Sequence, residues 1–256
     1  MTQEGFVRTG AGRVHYVRDG QGPGLLLLHS NGNSLHEYDA VRERLASDFD
    51  LILWDMPGQG DSDPLSRHLS IDDYGDAVVD LLNDLDIPGA FVMGASVGGC
   101  IAASLGARHG DRLTGVGIIE SQFRPAAWWA DGWLGIERLF STPLQTLDQV
   151  RARFHGAPPE LVERVNLDRH KAGGRAMMSA MWAIREFDMM AAVPAITTPA
   201  LLLFGTAGPT IETAPLMHAA LPGASYEVIE GAGHFPMVDH PDEFVTVVRR
   251  FAAGVA

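Results

Sequence analysis

The sequence predicts an α/β fold, in which a mainly parallel central sheet is covered by helices on both faces and a helical cap is inserted after the sixth strand. Three observations predict this architecture. Short apolar runs, typical of strands buried on both faces, alternate with segments of helical spacing. The alternation stops after Glu120 and resumes near Ala200, and the residues between have helical character. The 256 residues are enough to bury a large core within one domain.

The predicted elements start with an N-terminal hairpin, whose short strands at 6–8 and 14–17 are separated by a Gly-Ala-Gly turn. Ser70 and Asp73 have capping-box spacing, so a helix is expected from there to about Leu85. The remaining strands are predicted at 24–28, 51–54, 90–95, 113–119, 200–204 and 226–229, and the remaining helices at 35–47, 100–109, 213–221 and 241–252.

The chain divides into a predicted core, residues 1–121 and 194–256, and a helical cap, residues 122–193. Right-handed strand–helix–strand units place ligand sites at the carboxyl ends of parallel strands, so the cap should lie over the site. The cap is rich in tryptophan and methionine. Such residues are more often core than ligand contacts, but a small cap has little core to hide them. Trp128 and Met178 are therefore expected to line a pocket.

Composition excludes several classes of function. A net charge of −13 argues against nucleic acid and anionic membrane surfaces as partners. Cys100 is the single cysteine, so no intramolecular disulfide can form and a cytoplasmic location is the default. The first ten residues contain no apolar segment of the secretory type. The ten histidines lack metal-ligand spacing, so neither a metal nor a cofactor is expected.

The strongest motif is Gly94-Ala95-Ser96-Val97-Gly98-Gly99, which follows an apolar strand and precedes a helix. A serine at so sharp a strand-to-helix turn is strained, with positive φ expected, and small neighbours keep the crowded backbone from clashing. The helix behind it directs N–H groups and its positive end towards a developing negative charge. The strand and helix around the motif favour a nucleophile over a chance glycine-rich turn.

Four motifs in this order resemble those of the α/β-hydrolase superfamily, and together they are far more specific than any one of them. The resemblance covers nearly the whole chain outside the cap and implies an α/β-hydrolase fold with Ser96 as nucleophile. The motifs occupy residues 29–32, 55–62, 94–98 and 233–236.

The base and the oxyanion hole follow from the positions of these motifs. His234 lies after the last strand, where its imidazole can reach over the sheet to Ser96. His240 is a rival, but it precedes a proline and is better explained as a helix-entry residue. The backbone N–H groups of Asn31 and Val97 are expected to form the oxyanion hole.

The acid of the triad is where the sequence departs from the commonest superfamily pattern. The aspartate expected after the penultimate strand is replaced by Gly208, which cannot orient an imidazole. The strand-to-helix turn at Ser96 is called the elbow below, and the helix that follows it the elbow helix. Glu120, which ends the strand after the elbow helix, is the favoured substitute. Glu212 is the second candidate, although a first-turn carboxylate is also explained by the helix dipole. A histidine without any acid is the third possibility.

That departure, together with short motifs at 55–58, 205–210 and 233–244, resembles the zearalenone-lactonase branch of the superfamily. Enzymes of that branch open a macrocyclic resorcylic lactone ester. The resemblance implies a Ser96–His234–Glu120 triad and makes Trp182 a substrate-stacking residue. The predicted partner is a small apolar aromatic ester or lactone, hydrolysed through an acyl-enzyme.

Two other functions fit the same motifs. Near relatives with the same core hydrolyse C–C bonds in diketone-type products of ring cleavage. A slow or inactive ligand sensor on a hydrolase fold is of a different class, and the glycine at position 208 is its best support.

Overall fold

The structure is a computed structural model that describes residues 2–142, 144–151, 154 and 158–255. Eight strands are formed by the described residues: β1 (Gln3–Thr9), β2 (Gly12–Gly20), β3 (Gly24–Leu28), β4 (Asp50–Trp54), β5 (Ala90–Ala95), β6 (Leu113–Ile119), β7 (Ala200–Gly205) and β8 (Ser225–Ile229). They make one sheet in the order β1-β2-β4-β3-β5-β6-β7-β8. The helices are α1 (Asp39–Ala46), α2 (Ile71–Asp84), α3 (Val97–Arg108), α4 (Ala126–Phe140), α5 (Leu147–Arg151), α6 (Pro159–Glu186), α7 (Met189–Ala192), α8 (Ala214–Ala220), α9 (Pro236–Asp239) and α10 (Pro241–Val255).

The sheet is parallel from β4 to β8 and antiparallel at its N-terminal edge. This confirms the predicted mainly parallel sheet. The two strands of the hairpin are longer than the apolar pattern indicated. The reason is that β2 pairs with β1 on one side and with β4 on the other, so hydrogen bonds extend it beyond its apolar residues.

The apolar strands bury both of their faces, as the sequence predicted. Along β3, Leu26 and Leu28 pack into the core that contains α2 and α3, whereas Leu25 and Leu27 pack into the core that contains α1 and α10. Because successive side chains of a strand point to opposite faces, a continuous apolar run feeds both cores. The sheet is therefore packed on both faces, and the loops that follow its parallel strands lie at its carboxyl edge.

One helix starts differently from the prediction, and one short helix was not predicted. The capping box of Ser70 and Asp73 is present at the start of α2. Residues 35–38, however, form a 3-10 turn before α1 begins. The amide of Leu35 donates to Asp55, and Glu37 points inward to Ser30, so buried polar contacts tighten this first turn. The four-residue helix α9 is too short for its periodicity to be recognised in the sequence.

The cap segment, residues 122–193, contains helices α4 to α7 between β6 and β7. Its longest helix, α6, is interrupted at Gly173, where φ is 69° and ψ is 163°. The next residue, Gly174, packs against the carbonyl of Ser141, and a Cβ there would clash with that oxygen. Over the described ranges, no helix combines the length and the apolar character needed to cross a bilayer.

Candidate active site

Ser96 lies at the tip of the turn between β5 and α3, with φ 56° and ψ −114°. This positive φ is the strain expected at such a turn, and it persists only because the surroundings enforce it. The Ser96 amide donates to the Ile119 carbonyl at 2.9 Å, and the Ser121 hydroxyl donates to the Ser96 carbonyl at 2.7 Å. A Cβ at Gly98 would lie under 3.0 Å from the Leu28 carbonyl, so the small neighbour is required.

Glu120 follows β6 and is completely buried, with a positive φ of 45°. Its carboxylate accepts hydrogen bonds from the Gly205 amide and from the Thr210 hydroxyl, each at 2.8 Å. A buried carboxylate needs such partners, because otherwise its desolvation is not compensated. The two donors fix the position of the carboxylate from β7 and from the loop that follows it.

Gly208 lies directly against this carboxylate. A Cβ at position 208 would lie under 3.0 Å from both carboxylate oxygens of Glu120, closer than nonbonded atoms approach. The φ of Gly208 lies outside the left-handed region, so the backbone itself would accept a side chain. Glu120 therefore occupies the space that a side chain at position 208 would need.

His234 is held in the loop after β8, close to Glu120. Its Nδ1 lies 3.5 Å from Oε2 of Glu120 and forms no hydrogen bond within the described residues. At 3.5 Å the contact is longer than a strong hydrogen bond, as is common at catalytic sites without substrate. The Gly233 amide donates to Asp239 at 2.9 Å, and the Phe235 ring packs edge-on against the imidazole. These contacts orient the histidine.

The rival residues lie elsewhere. The carboxylate of Glu212 is 80% exposed and lies 3.4 Å from the Arg124 guanidinium. His240 lies at the junction of α9 and α10, with its Nδ1 3.9 Å from Glu243. Neither rival lines the cavity that contains Ser96 and His234.

Asn31 is fixed by side-chain hydrogen bonds to the core and to the cap segment. Gln59 donates to the Asn31 amide oxygen at 2.8 Å and accepts from the Gly32 amide at 2.7 Å. The Asn31 side chain in turn donates to the Met177 carbonyl of α6 at 3.0 Å. None of the hydrogen bonds among the described residues uses the backbone N–H of Asn31. This N–H group therefore has no acceptor among the described residues, and Asn31 itself is buried and is not one of the residues that line the cavity with Ser96.

Val97 is the first residue of α3, and the first N–H groups of a helix have no intrahelical acceptor. His29 is used structurally: its Nε2 accepts from the Met56 amide at 2.9 Å, and its Nδ1 lies 2.8 Å from the Ser30 carbonyl. These contacts leave no ring nitrogen of His29 for catalysis and fix the loop that leads to Asn31.

A second polar contact joins this loop to the cap segment. The Ser34 hydroxyl donates to Asp168 of α6 at 2.6 Å, and Arg164 lies 3.0 Å from the other carboxylate oxygen. Burial raises the pKa of Asp168, although the hydrogen bond from Ser34 and the charge of Arg164 oppose that shift. The position of the cap helix is therefore coupled to the loop that carries Asn31.

A cavity of about 450 Å³ lies between the sheet edge and the cap segment. Ser96 and His234 both line it, and the rest of its wall is mainly apolar. Burial raises the pKa of the Cys100 thiol in this wall to about 12, so it stays protonated at neutral pH. The other lining residues are Gln122, Trp128, Trp129, Ile136, Leu139, Phe140, Met181, Ile184, Ala207 and Pro209.

The predicted substrate contacts are only partly in this cavity. Trp128 lines it, but Met178 and Trp182 line a separate groove on the outer surface, and Trp182 is 38% exposed. On α6, Met181 and Ile184 lie on the face of the helix that lines the cavity. Met178 and Trp182 lie on the neighbouring face, which lines the outer groove. The Trp182 ring packs against Trp133, which buries part of it.

Three potential metal ligands, His15, Asp55 and Asp61, have donor atoms within 4.8 Å of one another. Their carboxylate oxygens already accept hydrogen bonds. Asp55 lies 2.8 Å from Nδ1 of His15 and accepts from the amides of Asp61 and Leu35. Burial raises the pKa of Asp55, but its hydrogen bonds, that to His15 foremost, bring it below its ordinary value. This cluster holds two loops together.

Sequence reasoning missed three polar residues of the site. Thr210 and Gln59 hold the acid and the Asn31 loop, and Gln122 lines the cavity. Each lies in a turn or an irregular loop where polar residues are ordinary, so residue type gave no signal. The signal available for Gln122 was its position two residues after the candidate acid.

The profile of the alpha/beta hydrolase family matches residues 25–247. The chain belongs to the alpha/beta hydrolase family. This α/β-hydrolase is 28% identical to a pimeloyl-[acyl-carrier protein] methyl ester esterase of Neisseria meningitidis serogroup C, over 90% of this chain and 93% of that esterase.

Solved structures of two hydrolases are similar to this α/β-hydrolase. A thermophilic esterase from Thermogutta terrifontis superposes with a TM-score of 0.86 at 22% identity and covers 99% of both chains. The enol-lactonase from Burkholderia xenovorans LB400 superposes with a TM-score of 0.81 at 23% identity, over 97% of this chain and all of the lactonase. Such identities show the fold alone. The family match and the esterase relative identify the chain as a hydrolase of the α/β family with esterase-like relatives.

Proposed function

We propose that this α/β-hydrolase cleaves a carboxylic ester through a Ser96–His234–Glu120 triad and an acyl-enzyme. One observation carries the proposal: the Glu120 carboxylate, 3.5 Å from Nδ1 of His234, fills the space beside Gly208. An acid on Nδ1 fixes the imidazole tautomer that leaves Nε2 free to accept a proton. The serine at a strained turn in the same cavity supplies the nucleophile.

The first step is attack by the Ser96 hydroxyl on the ester carbonyl, with its proton passing to Nε2 of His234. Glu120 stabilises the imidazolium that forms, and it does so from a position held by Gly205 and Thr210. The negative charge that develops on the carbonyl oxygen is stabilised by preorganised N–H donors. Those of Asn31 and Val97 are the proposed pair.

The second half returns the enzyme to its starting state. The imidazolium of His234 protonates the departing alkoxide, and the acyl group stays on Ser96. Water then attacks the acyl-enzyme while the same histidine takes its proton, which releases the acid. In a lactone the leaving alcohol stays tethered to the acyl chain, so ring opening gives one product.

The proposed substrate is an uncharged aromatic ester, and within that class a lactone of a bulky aromatic compound. The cavity wall contains Trp128, Trp129 and Phe140, and among the described lining residues His234 is the only one with an acidic or basic side chain. Its volume of about 450 Å³ is within the range of small-molecule sites. The resemblance of the short motifs to the zearalenone-lactonase branch supports the same substrate class.

The test is a screen of p-nitrophenyl esters and aromatic macrolactones, with Ser96→Ala as the inactive control. Glu120→Gln should lower kcat by on the order of 10³–10⁴, because an amide at Nδ1 favours the wrong tautomer. Glu212→Gln is the matched control and should stay within about twofold, since its exposed carboxylate only pairs with Arg124. Equal losses of kcat in Glu120→Gln and Glu212→Gln, or full ester turnover by Ser96→Ala, would contradict the proposal.

The same screen distinguishes the alternative functions. Turnover of ring-cleavage diketones without ester turnover would favour the C–C hydrolase. Tight binding without turnover would favour the ligand sensor. The support for a sensor was the glycine at position 208, and the Glu120 carboxylate occupies the space next to it.

A further inference from the structure

The cavity wall offers a substrate few hydrogen-bonding groups. Ser96 and His234 are committed to the proposed chemistry, and the Cys100 thiol is a weak hydrogen-bonding group. The remaining lining residues are apolar apart from Gln122. Among the described lining residues, the Gln122 amide is therefore the one strongly polar side-chain group left for recognition.

The backbone that presents Gln122 is held at the two preceding residues. Glu120 is fixed by its two hydrogen bonds and contacts His234. Ser121 is completely buried and donates to the carbonyl of Ser96. Along three consecutive residues, Glu120 therefore contacts the proposed base, Ser121 contacts the backbone of the proposed nucleophile, and Gln122 lines the cavity. A polar group on so fixed a backbone is preorganised for a ligand.

The amide oxygen of Gln122 is buried and has no hydrogen-bond partner within the described residues. A buried acceptor without a donor is unfavourable, and such atoms are rare in native proteins. In a ligand site the missing donor is supplied by the substrate. Because none of the described lining residues carries a carboxylate to compensate a cation, an uncharged hydroxyl fits better than an ammonium group.

We propose that Gln122 is a specificity-determining residue, whose amide oxygen accepts a hydrogen bond from a hydroxyl group on the aromatic ring of the substrate. The inference rests on the proposed ester hydrolysis and narrows it. The preferred substrates are hydroxylated aromatic esters, because a ring without the hydroxyl leaves the buried acceptor unpaired.

The experiment compares p-nitrophenyl benzoate with its 2-, 3- and 4-hydroxy derivatives. The ratio of kcat/KM for each hydroxy ester to that for the plain ester is measured in the unmodified chain, Gln122→Met, Gln122→Glu and Met181→Leu. Comparing each ester across variants cancels its intrinsic reactivity. For the preferred isomer, Gln122→Met should lower the ratio by about 10-fold or more, the loss of one buried hydrogen bond.

The other variants separate the acceptor from the shape of the cavity. Gln122→Glu keeps an acceptor and should keep the preference. Met181→Leu changes an apolar lining residue and should leave the ratio within about twofold. Ratios for all three isomers that Gln122→Met leaves unchanged would overturn the inference, as would loss of the preference in Gln122→Glu.

A binding assay separates failure of this inference from failure of the proposed function. Methyl benzoate and its hydroxy derivatives are titrated into Ser96→Ala with and without Gln122→Met, and fluorescence of the cavity tryptophans is recorded. The preferred hydroxy ester should bind about 10-fold more weakly to the double variant. An unmodified chain without ester turnover contradicts the proposed function, and this binding difference then decides the role of Gln122 alone.

Discussion

Exchanging the acid between positions 120 and 208 tests whether Glu120 occupies the space of the missing aspartate. In Gly208→Asp the new Cβ would lie under 3.0 Å from the Glu120 carboxylate, and a second buried carboxylate would lie beside the first. Overpacking alone costs about 1–3 kcal/mol, and repulsion between the two carboxylates adds to it. We expect Gly208→Asp to lower the free energy of unfolding by about 3 kcal/mol or more.

The same substitution should be far milder after Glu120→Ala, because the atoms that it strikes are gone. Since the Gly208 backbone accepts a side chain, its remaining cost should be under about 1 kcal/mol. The two substitutions should therefore couple favourably by about 2 kcal/mol. Urea unfolding of the four proteins of the cycle measures this energy. If the losses in the free energy of unfolding of the two single variants add up to that of the double variant within about 0.5 kcal/mol, the two side chains do not compete for the same space.

Activity gives an independent measure of the same exchange. Glu120→Ala should lower kcat for p-nitrophenyl esters by on the order of 10³–10⁴. Adding Gly208→Asp should restore at least about 10-fold of this loss, because it returns a carboxylate to the volume beside His234. Gly208→Asn in the same background is the matched control, and it should restore nothing. Equal recovery with Asp and Asn would show that packing, not charge, is what the acid supplies.

Three further predictions follow from contacts around the site. Gln59→Ala should lower kcat by about 10- to 100-fold with little change in KM, because it frees the Asn31 loop; steady-state kinetics showing a rise in KM alone would contradict this role. Trp128→Ala should raise KM for aromatic esters by about 10-fold, whereas Trp182→Ala should stay within about twofold, and the reverse order would place the substrate in the outer groove. The raised pKa of Asp168 means that its ionised form is less favourable in the folded than in the unfolded chain, so stability is lost as pH rises from 3.8 through the folded pKa. Asp168→Asn should therefore gain Tm relative to the unmodified chain over that pH range, and a difference that does not change with pH would contradict the assignment.

The sheet and the elbow could be predicted from the sequence because their signals are local. The apolar run at Gly24–Leu28 is buried on both faces, and the strand–turn–helix around Ser96 has the expected positive φ. Gly208 was informative because the commonest superfamily pattern has the aspartate of the triad at this position. That interpretation led to Glu120, which the structure brings to 3.5 Å from His234.

The cap contacts could not be predicted, because two apolar stripes run along α6 one residue apart. Met181 and Ile184 lie on the stripe that faces the cavity, whereas Met178 and Trp182 lie on the neighbouring stripe. Periodicity gives the spacing within each stripe but not the rotation of the helix about its axis. The rotation of α6 about its axis depends on the break at Gly173 and on contacts with residues that are distant in the sequence.

The proposed acid, Glu120, and the proposed nucleophile, Ser96, follow one pair of neighbouring strands. Ser96 directly follows β5 and Glu120 directly follows β6, and both residues have positive φ at the same edge of the sheet. Ile119 and Ser121 flank Glu120: the Ile119 carbonyl accepts from the Ser96 amide, and the Ser121 hydroxyl donates to the Ser96 carbonyl. Ser96 is therefore held at its amide and at its carbonyl by residues next to Glu120, which is the kind of over-determination that strain requires. Glu120 is held in turn by β7, because its amide donates to the Leu203 carbonyl and its carboxylate accepts from the Gly205 amide. An aspartate after β7 would lie one strand farther from the elbow, since β6 lies between β5 and β7.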